Sequence, residues 1–401
     1  MIRLRNVLLG MVLCTAVASY SAHAGEKAIK VGVLTDMDGF AAETGGPGSV
    51  VAAQLAIDDF KSAINGKPIL LLSADMQDKP DVASSIARQW FDRDGVDIIA
   101  DLPVSTVGLA VQGVARDRHK VLLITASLTT ELTGKQCSPW SIDFADDTSA
   151  LSQGTVRAMV GQGFKSWFFI TADFAFGHAL EHDAIEVLKQ AGGTVVGTIQ
   201  NPVNTTDFAS YIVAAQASKA QVVAVSDPSL DTINAIKEAS EFGLTQGGQQ
   251  LAALLMYISD IHSLGLKVAQ GLSVTSGFYW DQNEQSRAFA KRFFARAGRP
   301  PTKEQANIYA GLVAYFQAIK DTGSDNPDSV ISNMRTKKID YFGKQATLRE
   351  DGRVLYDVTL YRVKKPEESK APWDYYTKVA DVPAETAFLP LAGSACPYLK
   401  K

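Results

Sequence analysis

The chain has 401 residues, 46% of them hydrophobic and 20% charged, with a formal net charge of −4. This is the balance of a globular protein long enough for two domains of about 100–200 residues each. It excludes a disordered or low-complexity chain, and the lack of a concentrated basic patch excludes nucleic acid as the expected partner.

At the N-terminus, Arg3 and Arg5 precede the apolar run "VLLGMVLCTAVA", and Ala22-His23-Ala24 follows as an A-x-A site. These are the three parts of a secretory signal, so residues 1–24 are predicted to be cleaved. The run is shorter than the roughly 20 apolar residues that span a bilayer, and Leu13 before Cys14 does not suit a lipoprotein signal. Losing Arg3 and Arg5 from 39 basic residues leaves 37 against 43 acidic ones, six net negative charges. Cys137 and Cys396 are then the remaining cysteines. Two thiols exported to an oxidising compartment are expected to pair, which ties the tail, residues 391–401, to the first half of the chain.

Strand-like and helix-like patterns alternate from there. "IKVGVLT", "PILLLSAD", "VDIIADL" and "KVLLITA" are continuously apolar runs, the pattern of parallel strands covered on both faces. Helical periodicity follows the first three, in "SVVAAQLAIDDFKSA", "DVASSIARQWFDRD" and "TVGLAVQGVARDR". A loop, "GKQCSPWSIDFADDTSALSQG", separates this series from a second one. The second has strands in "KSWFFITAD", "GTVVGTI", "AQVVAVSD" and "QQLAALLMY", with helices between them that stop near Gly192 and Gly243. Beyond Gly271 come the strand-like "LSVTSGFYW", helices from "NEQSRAFAKRFFARAG", "TKEQANIYAGLVAYFQAIKDTG" and "NPDSVISNMRT", the strand or strand pair "GRVLYDVTLYRVKK", and an irregular close. The fold class is α/β, with two doubly wound Rossmann-like lobes.

The loop after the first strand, "DMDGFAAETGGPGSVV", carries Gly45, Gly46 and Gly48. A dinucleotide fingerprint needs a third glycine where Val51 stands, and its glycines directly after the strand. A phosphate-binding Gly-Lys-Ser/Thr ending is also absent. What remains is a loop at the carboxyl end of a strand, where open α/β sheets place ligands, followed by a helix N-terminus suited to a carboxylate or a polar group.

Several segments together resemble the type I periplasmic solute-binding proteins of ABC transporters, in the branched-chain amino acid group and near its aromatic-acid-binding relatives. They are "KVGVLTDMDGF", "GPGSVVAAQLAIDDF", "DRDGVDIIADLPVSTVGLAV", "ELTGKQCSP", "SWFFITADFAFGHALEHD", "TTDFASYIVAAQASKAQVV", "DTINAIKEASEFGLT" and "KKPEESKAPWDYY". The resemblance implies two lobes joined by a three-segment hinge. Residues 25–145 and 274–341 would form the first lobe, and residues 146–273 and 342–390 the second. It implies a small polar organic solute (an amino acid, an amide or an aromatic carboxylic acid) held between lobes that close over it. It also implies a monomer in the periplasm, delivery to inner-membrane ABC permease subunits, no chemistry, and neither cofactor nor metal. By motif position the ligand-binding candidates are Thr44, Ser105, Ser127 and Thr129 on the first lobe, with Phe176, Asp227 and Tyr257 on the second and Asp146 near the first crossing. Serine at position 105 also suits ordinary N-capping.

The chain departs from that pattern in three places. Neither Met256 nor Tyr257 is acidic, where amino acid binders place a carboxylate for the ammonium. Val104 replaces a hydroxyl residue. Asp146 and Asp227 stand where aromatic-acid binders are neutral, and two acids facing one cleft would repel an anion unless exposed or paired with a lysine. Two other classes use such a scaffold: a periplasmic sensor that signals to a membrane partner, and an enzyme. His178 and His182 share a helix face, but Ala179 breaks the H-E-x-x-H pattern. No G-x-S-x-G nucleophile elbow occurs.

Overall fold

The computed structural model describes residues 27–399; the predicted signal segment lies outside the described residues. Strands β1 (Ile29–Thr35), β2 (Ala63–Ile64), β3 (Lys67–Asp75), β4 (Ile98–Asp101), β5 (Val121–Ile124) and β6 (Ser141–Asp143) form one sheet in the order β2-β3-β1-β4-β5-β6. Apart from the hairpin strand β2, all run parallel. β4 and β5 are buried along their whole length, as strands covered by helices on both faces must be. The chain winds outward from β1 to β3, then reverses across β1 to β4. That reversal opens a crevice at the carboxyl ends of β1 and β4.

The second lobe repeats the device. Strands β7 (Ser166–Ala172), β8 (Thr194–Asn201), β9 (Val222–Ser226) and β10 (Gln250–Ala253) lie in the order β10-β9-β7-β8, all parallel. Its reversal lies between β7 and β9, so a second crevice opens beside Asp173 and Asp227.

The remaining strands are β11 (Ser273–Ser276), β12 (Ile339–Tyr341), β13 (Lys344–Leu348), β14 (Val354–Leu355), β15 (Val358–Val363) and β16 (Tyr376–Val382). They make two antiparallel sheets, β11-β15-β16 and β12-β13-β14. Two sequence readings need correction here. The segment read as irregular contains β16, an edge strand whose first residue alone is buried, so it shows no alternation to read. The lobe boundaries also shift. Val274 packs with the second-lobe side residues Met256 and Ile261, whereas Ala346, Leu348 and Val354 share a core with Val31, Leu123 and Phe316. Residues 344–355 therefore sit with the first lobe, and the chain returns near Tyr356–Val358.

The three crossing segments are knotted together by buried polar groups. The Arg353 guanidinium donates to both carboxylate oxygens of Asp143 at 3.1 and 2.8 Å and to the Ala145 carbonyl at 2.7 Å. It also lies 3.0 Å from Asp147. Asp146 accepts from the Gly277 N–H at 2.8 Å and from the Tyr356 hydroxyl at 2.8 Å. First, second and third crossings are thus joined through Asp146.

The helix Lys303–Thr322 carries the first lobe's remaining contribution to the cleft. Gly311 lets it lie against β5, since a Cβ there would stand 2.5 Å from Leu123 Cδ1. Thr302 and Gln305 form a capping box at its start, and the Thr302 hydroxyl donates to the Thr44 carbonyl at 2.6 Å. The glycine loop is filled by the protein itself. Gln305 donates to the Gly45 carbonyl at 2.9 Å, and a Cβ on Gly48 would meet its Nε2 at 2.2 Å.

Cys137 and Cys396 are bonded, with Cα atoms 5.5 Å apart across a sequence separation of 259. Replacing both by serine is expected to lower unfolding free energy by about 2–4 kcal/mol in urea titrations; an unchanged value would show the bridge does not constrain the unfolded chain. Arg353→Met leaves Asp143 and Asp147 buried without their cation, and should cost about 3–5 kcal/mol in the same measurement. A loss below about 1 kcal/mol would contradict the role given to that guanidinium.

Candidate binding site between the lobes

The two crevices face each other and flank a partly open cleft, with about 400 Å³ of atom-free space including solvent at its mouth. From the first lobe it is lined by Phe40, Thr44, Pro103, Val104, Ser105 and Leu128, and from the second by Phe174, Phe176, Pro228, Ser229, Leu255 and Tyr257, with Ala41 and Ala126 completing the wall. No lining residue carries a formal charge. Phe174 and Phe176 pack with ring centroids 5.8 Å apart. Pro103, Val104 and Ser105 open the helix Ser105–Asp117, so its unpaired N–H groups and positive dipole end face the cavity.

Four of the eight sequence candidates line this cavity: Thr44, Ser105, Phe176 and Tyr257. Four do not. Ser127 spends its hydroxyl on the carbonyls of Leu102 (2.5 Å) and Val104 (3.2 Å), holding the loop after β4. Thr129 accepts from the Glu131 N–H at 3.4 Å as the cap of a short helical turn. Between and before them, Ala126 and Leu128 reach the wall instead. Asp146 belongs to the hinge and faces Lys303, whose Nζ lies 3.3 Å from its carboxylate, which is the lysine pairing that the sequence leaves open. Asp227 is fully buried beside Asn201, which donates to it at 2.7 Å, and burial pushes its carboxyl up to about 8. It is therefore a neutral acid at pH 7 rather than a charge facing the solute.

The sequence reading missed Phe40 and Phe174, and also Glu304. Glu304 stands behind Thr44 and Tyr257, 1% exposed, and accepts a short hydrogen bond from the Tyr257 hydroxyl across the cleft. Burial pushes its carboxyl up to about 8, against the opposing pull of Tyr257 and Lys303. Burial also drives the Tyr257 phenol well above its ordinary range. The Lys303 ammonium lies 5.3 Å from the Tyr257 ring centre. Further out, Thr130 on the first lobe donates to Asp183 on the second at 3.3 Å. With these contacts in place, the structure shows the cleft closed.

His178 and His182 are set apart from the cavity on the helix Ala175–Gln190, each against an aspartate, Asp173 at 2.9 Å and Asp183 at 3.1 Å. Asp101 ends β4 with a left-handed backbone (φ 92°) and accepts from Thr125 at 3.1 Å. Burial pushes it up to about 6. Gly45 leaves room for its carboxyl, with the added Cβ position only 3.1 Å from it.

A family model described as periplasmic binding protein matches residues 28–370. Among solved structures, a periplasmic binding protein from Burkholderia mallei is 42% identical, with a TM-score of 0.91, over 94% of this chain and 100% of that one. A branched chain amino acid ABC transporter periplasmic ligand-binding protein from Burkholderia xenovorans LB400 is 40% identical, with a TM-score of 0.84, over 92% and 99%. The same fold, at 22% identity and a TM-score of 0.80 over 89% and 98%, occurs in an ABC transporter solute binding protein from Rhodopseudomonas palustris BisB5 in complex with 3,4-dihydroxy benzoic acid. Two doubly wound lobes, a three-segment hinge and an uncharged cavity at their facing switch points accord with that match over most of the length: the chain belongs to the periplasmic binding protein family.

Proposed function

We propose that the chain is the exported solute receptor of an ABC importer, that its solute is an aromatic carboxylic acid, and that the lobes close over that solute and present it to the permease. The observation that carries the solute class is the cavity wall: Phe40, Phe174, Phe176 and Tyr257 around a few hydroxyls, with no charged side chain. An aromatic ring gains from such a wall by area and ring packing. Its carboxylate has the free N–H groups of the Ser105 helix N-terminus and the Ser105 hydroxyl within the same wall. The ammonium of an amino acid has no carboxylate on that wall, and burial pushes the Glu304 carboxyl behind it upward, to about 8. The aromatic-acid complex of the R. palustris protein supports the reading, since the same fold accommodates this ligand class. Cleavage after Ala24 and release into the periplasm belong to the proposal too.

Calorimetry on the mature protein with benzoate, 4-hydroxybenzoate, phenylalanine and leucine tests the solute class. Binding of an aromatic acid with at least about tenfold preference over leucine is expected. Tight leucine binding with no response to either benzoate would overturn it. Ser105→Ala removes a hydrogen-bond partner inside the closed cleft, a cost of about 1–3 kcal/mol, so affinity should fall roughly five- to a hundred-fold with the fold unchanged.

A further inference from the structure

One short stretch of the first lobe, Leu128 to Thr130, is held to the second lobe at both ends. Leu128 lines the cavity and packs in one core cluster with Phe176 and Leu255 of the second lobe. Its carbonyl accepts from the Thr148 N–H at 2.8 Å. Thr148 opens the helix Thr148–Gly161 directly after the first crossing, next to Asp147 and its partner Arg353. Two residues beyond Leu128, the Thr130 hydroxyl donates to Asp183 Oδ2 at 3.3 Å. The same oxygen accepts from the Thr148 hydroxyl at 2.5 Å. Thr148 and Asp183 thus form one unit that grips the stretch beside the hinge and again further along.

Asp183 lies on the helix Ala175–Gln190 and is only 7% exposed. A carboxylate at that depth requires hydrogen-bond donors. Thr148 supplies one from within the second lobe, and His182 Nδ1 lies 3.1 Å from the other oxygen. Thr130 is the donor that comes from the first lobe, so it reaches Asp183 only when the lobes meet. Thr130 and Asp183 both stand outside the lining of the cavity. A solute therefore gains from their contact without touching either side chain.

We propose that Asp183 is the catch of the closed cleft: through Thr130 it holds the Leu128–Thr130 stretch, and the cavity wall that belongs to it, against the second lobe, and so sets how long a solute is retained. Asp183 and Thr130 are positioning residues that act on the solute through Leu128. This rests on the proposed function only in requiring that the lobes close on a solute, whatever its class. Thr148 fixes the carboxylate in place beforehand, so closure orders little on the second-lobe side of the contact. Opening returns the Thr130 hydroxyl and the carboxylate to water, and at 3.3 Å the bond is long. Its net worth is therefore that of one modest hydrogen bond.

The test is stopped-flow binding with calorimetry on the mature protein, using each of benzoate, 4-hydroxybenzoate, phenylalanine and leucine that binds. The unaltered chain is compared with Thr130→Val and Thr130→Ser. Thr130→Val keeps the shape of the side chain and loses the donor. It should release each solute about two- to tenfold faster, with the association rate little changed and affinity lower by the same factor for every solute. A wall residue such as Ser105 acts differently, because its loss weighs unequally on solutes that touch it unequally. Thr130→Ser restores the hydroxyl and should bring the release rate back to that of the unaltered chain. Unchanged release in Thr130→Val, a slow-down of association in place of faster release, or a factor that depends on the solute would overturn the catch. Tight leucine binding that Thr130→Val loosens as described overturns the solute class and supports the catch. Binding by none of the four overturns the receptor reading and the catch with it.

Discussion

The structure depends on a buried guanidinium at the place where the chain passes between lobes. Arg353 is inaccessible to water and holds Asp143 and Asp147 on either side of the first crossing. Desolvating a guanidinium and two carboxylates costs several kcal/mol per ion, and only close geometry with further hydrogen bonds recovers it. Here the geometry supplies them, through the Ala145 carbonyl and the Asp147 cap on the helix Thr148–Gly161. The arrangement fixes the crossing segments in register while leaving the lobes joined by short backbone spans, so that rotation of one lobe against the other remains the soft motion.

Everything in the cavity follows from where those lobes face. Each sheet reverses its winding once, and each reversal leaves polar strand ends uncovered. At β4 and β9 these ends are Asp101 and Asp227, both buried and both pushed up by burial. The acids that the sequence places near the solute are therefore structural, neutral or paired with a cation. The wall that meets the solute consists of rings, prolines and hydroxyls. The selectivity of such a site comes from shape and from a few hydrogen bonds rather than from charge matching.

Much of this was legible in the sequence. Continuous apolar runs separated by helical periodicity located β1, β4, β5, β7, β9 and β10, because largely buried strands have a strong, local pattern; the runs at β3 and β8 were found as well, although each of those strands buries a single residue. The cysteine pair followed from compartment and number. The strand ends directed attention to Thr44, Ser105, Phe176 and Tyr257, which line the cavity, but "TASLTTELT" could not reveal that the Ser127 and Thr129 hydroxyls serve their own backbone. Glu304 lay in "TKEQANIYAGL", legible as a capping box and an amphipathic helix. Its place opposite Tyr257 depends on a contact across 47 residues and two lobes, which no local pattern encodes. Arg353 was hidden for the same reason, its partner Asp143 lying 210 residues earlier. β16 failed for a different one: an exposed edge strand lacks the alternation that marks a half-buried one.

The central claim is that the observed closed arrangement is the solute-bound form of a two-lobed receptor. Small-angle X-ray scattering of the mature protein, alone and with saturating 4-hydroxybenzoate, tests it most directly. The account predicts a larger radius of gyration without solute, contracting on addition to the value calculated for the closed structure. An identical radius in both states, with the solute shown to be bound, would contradict it.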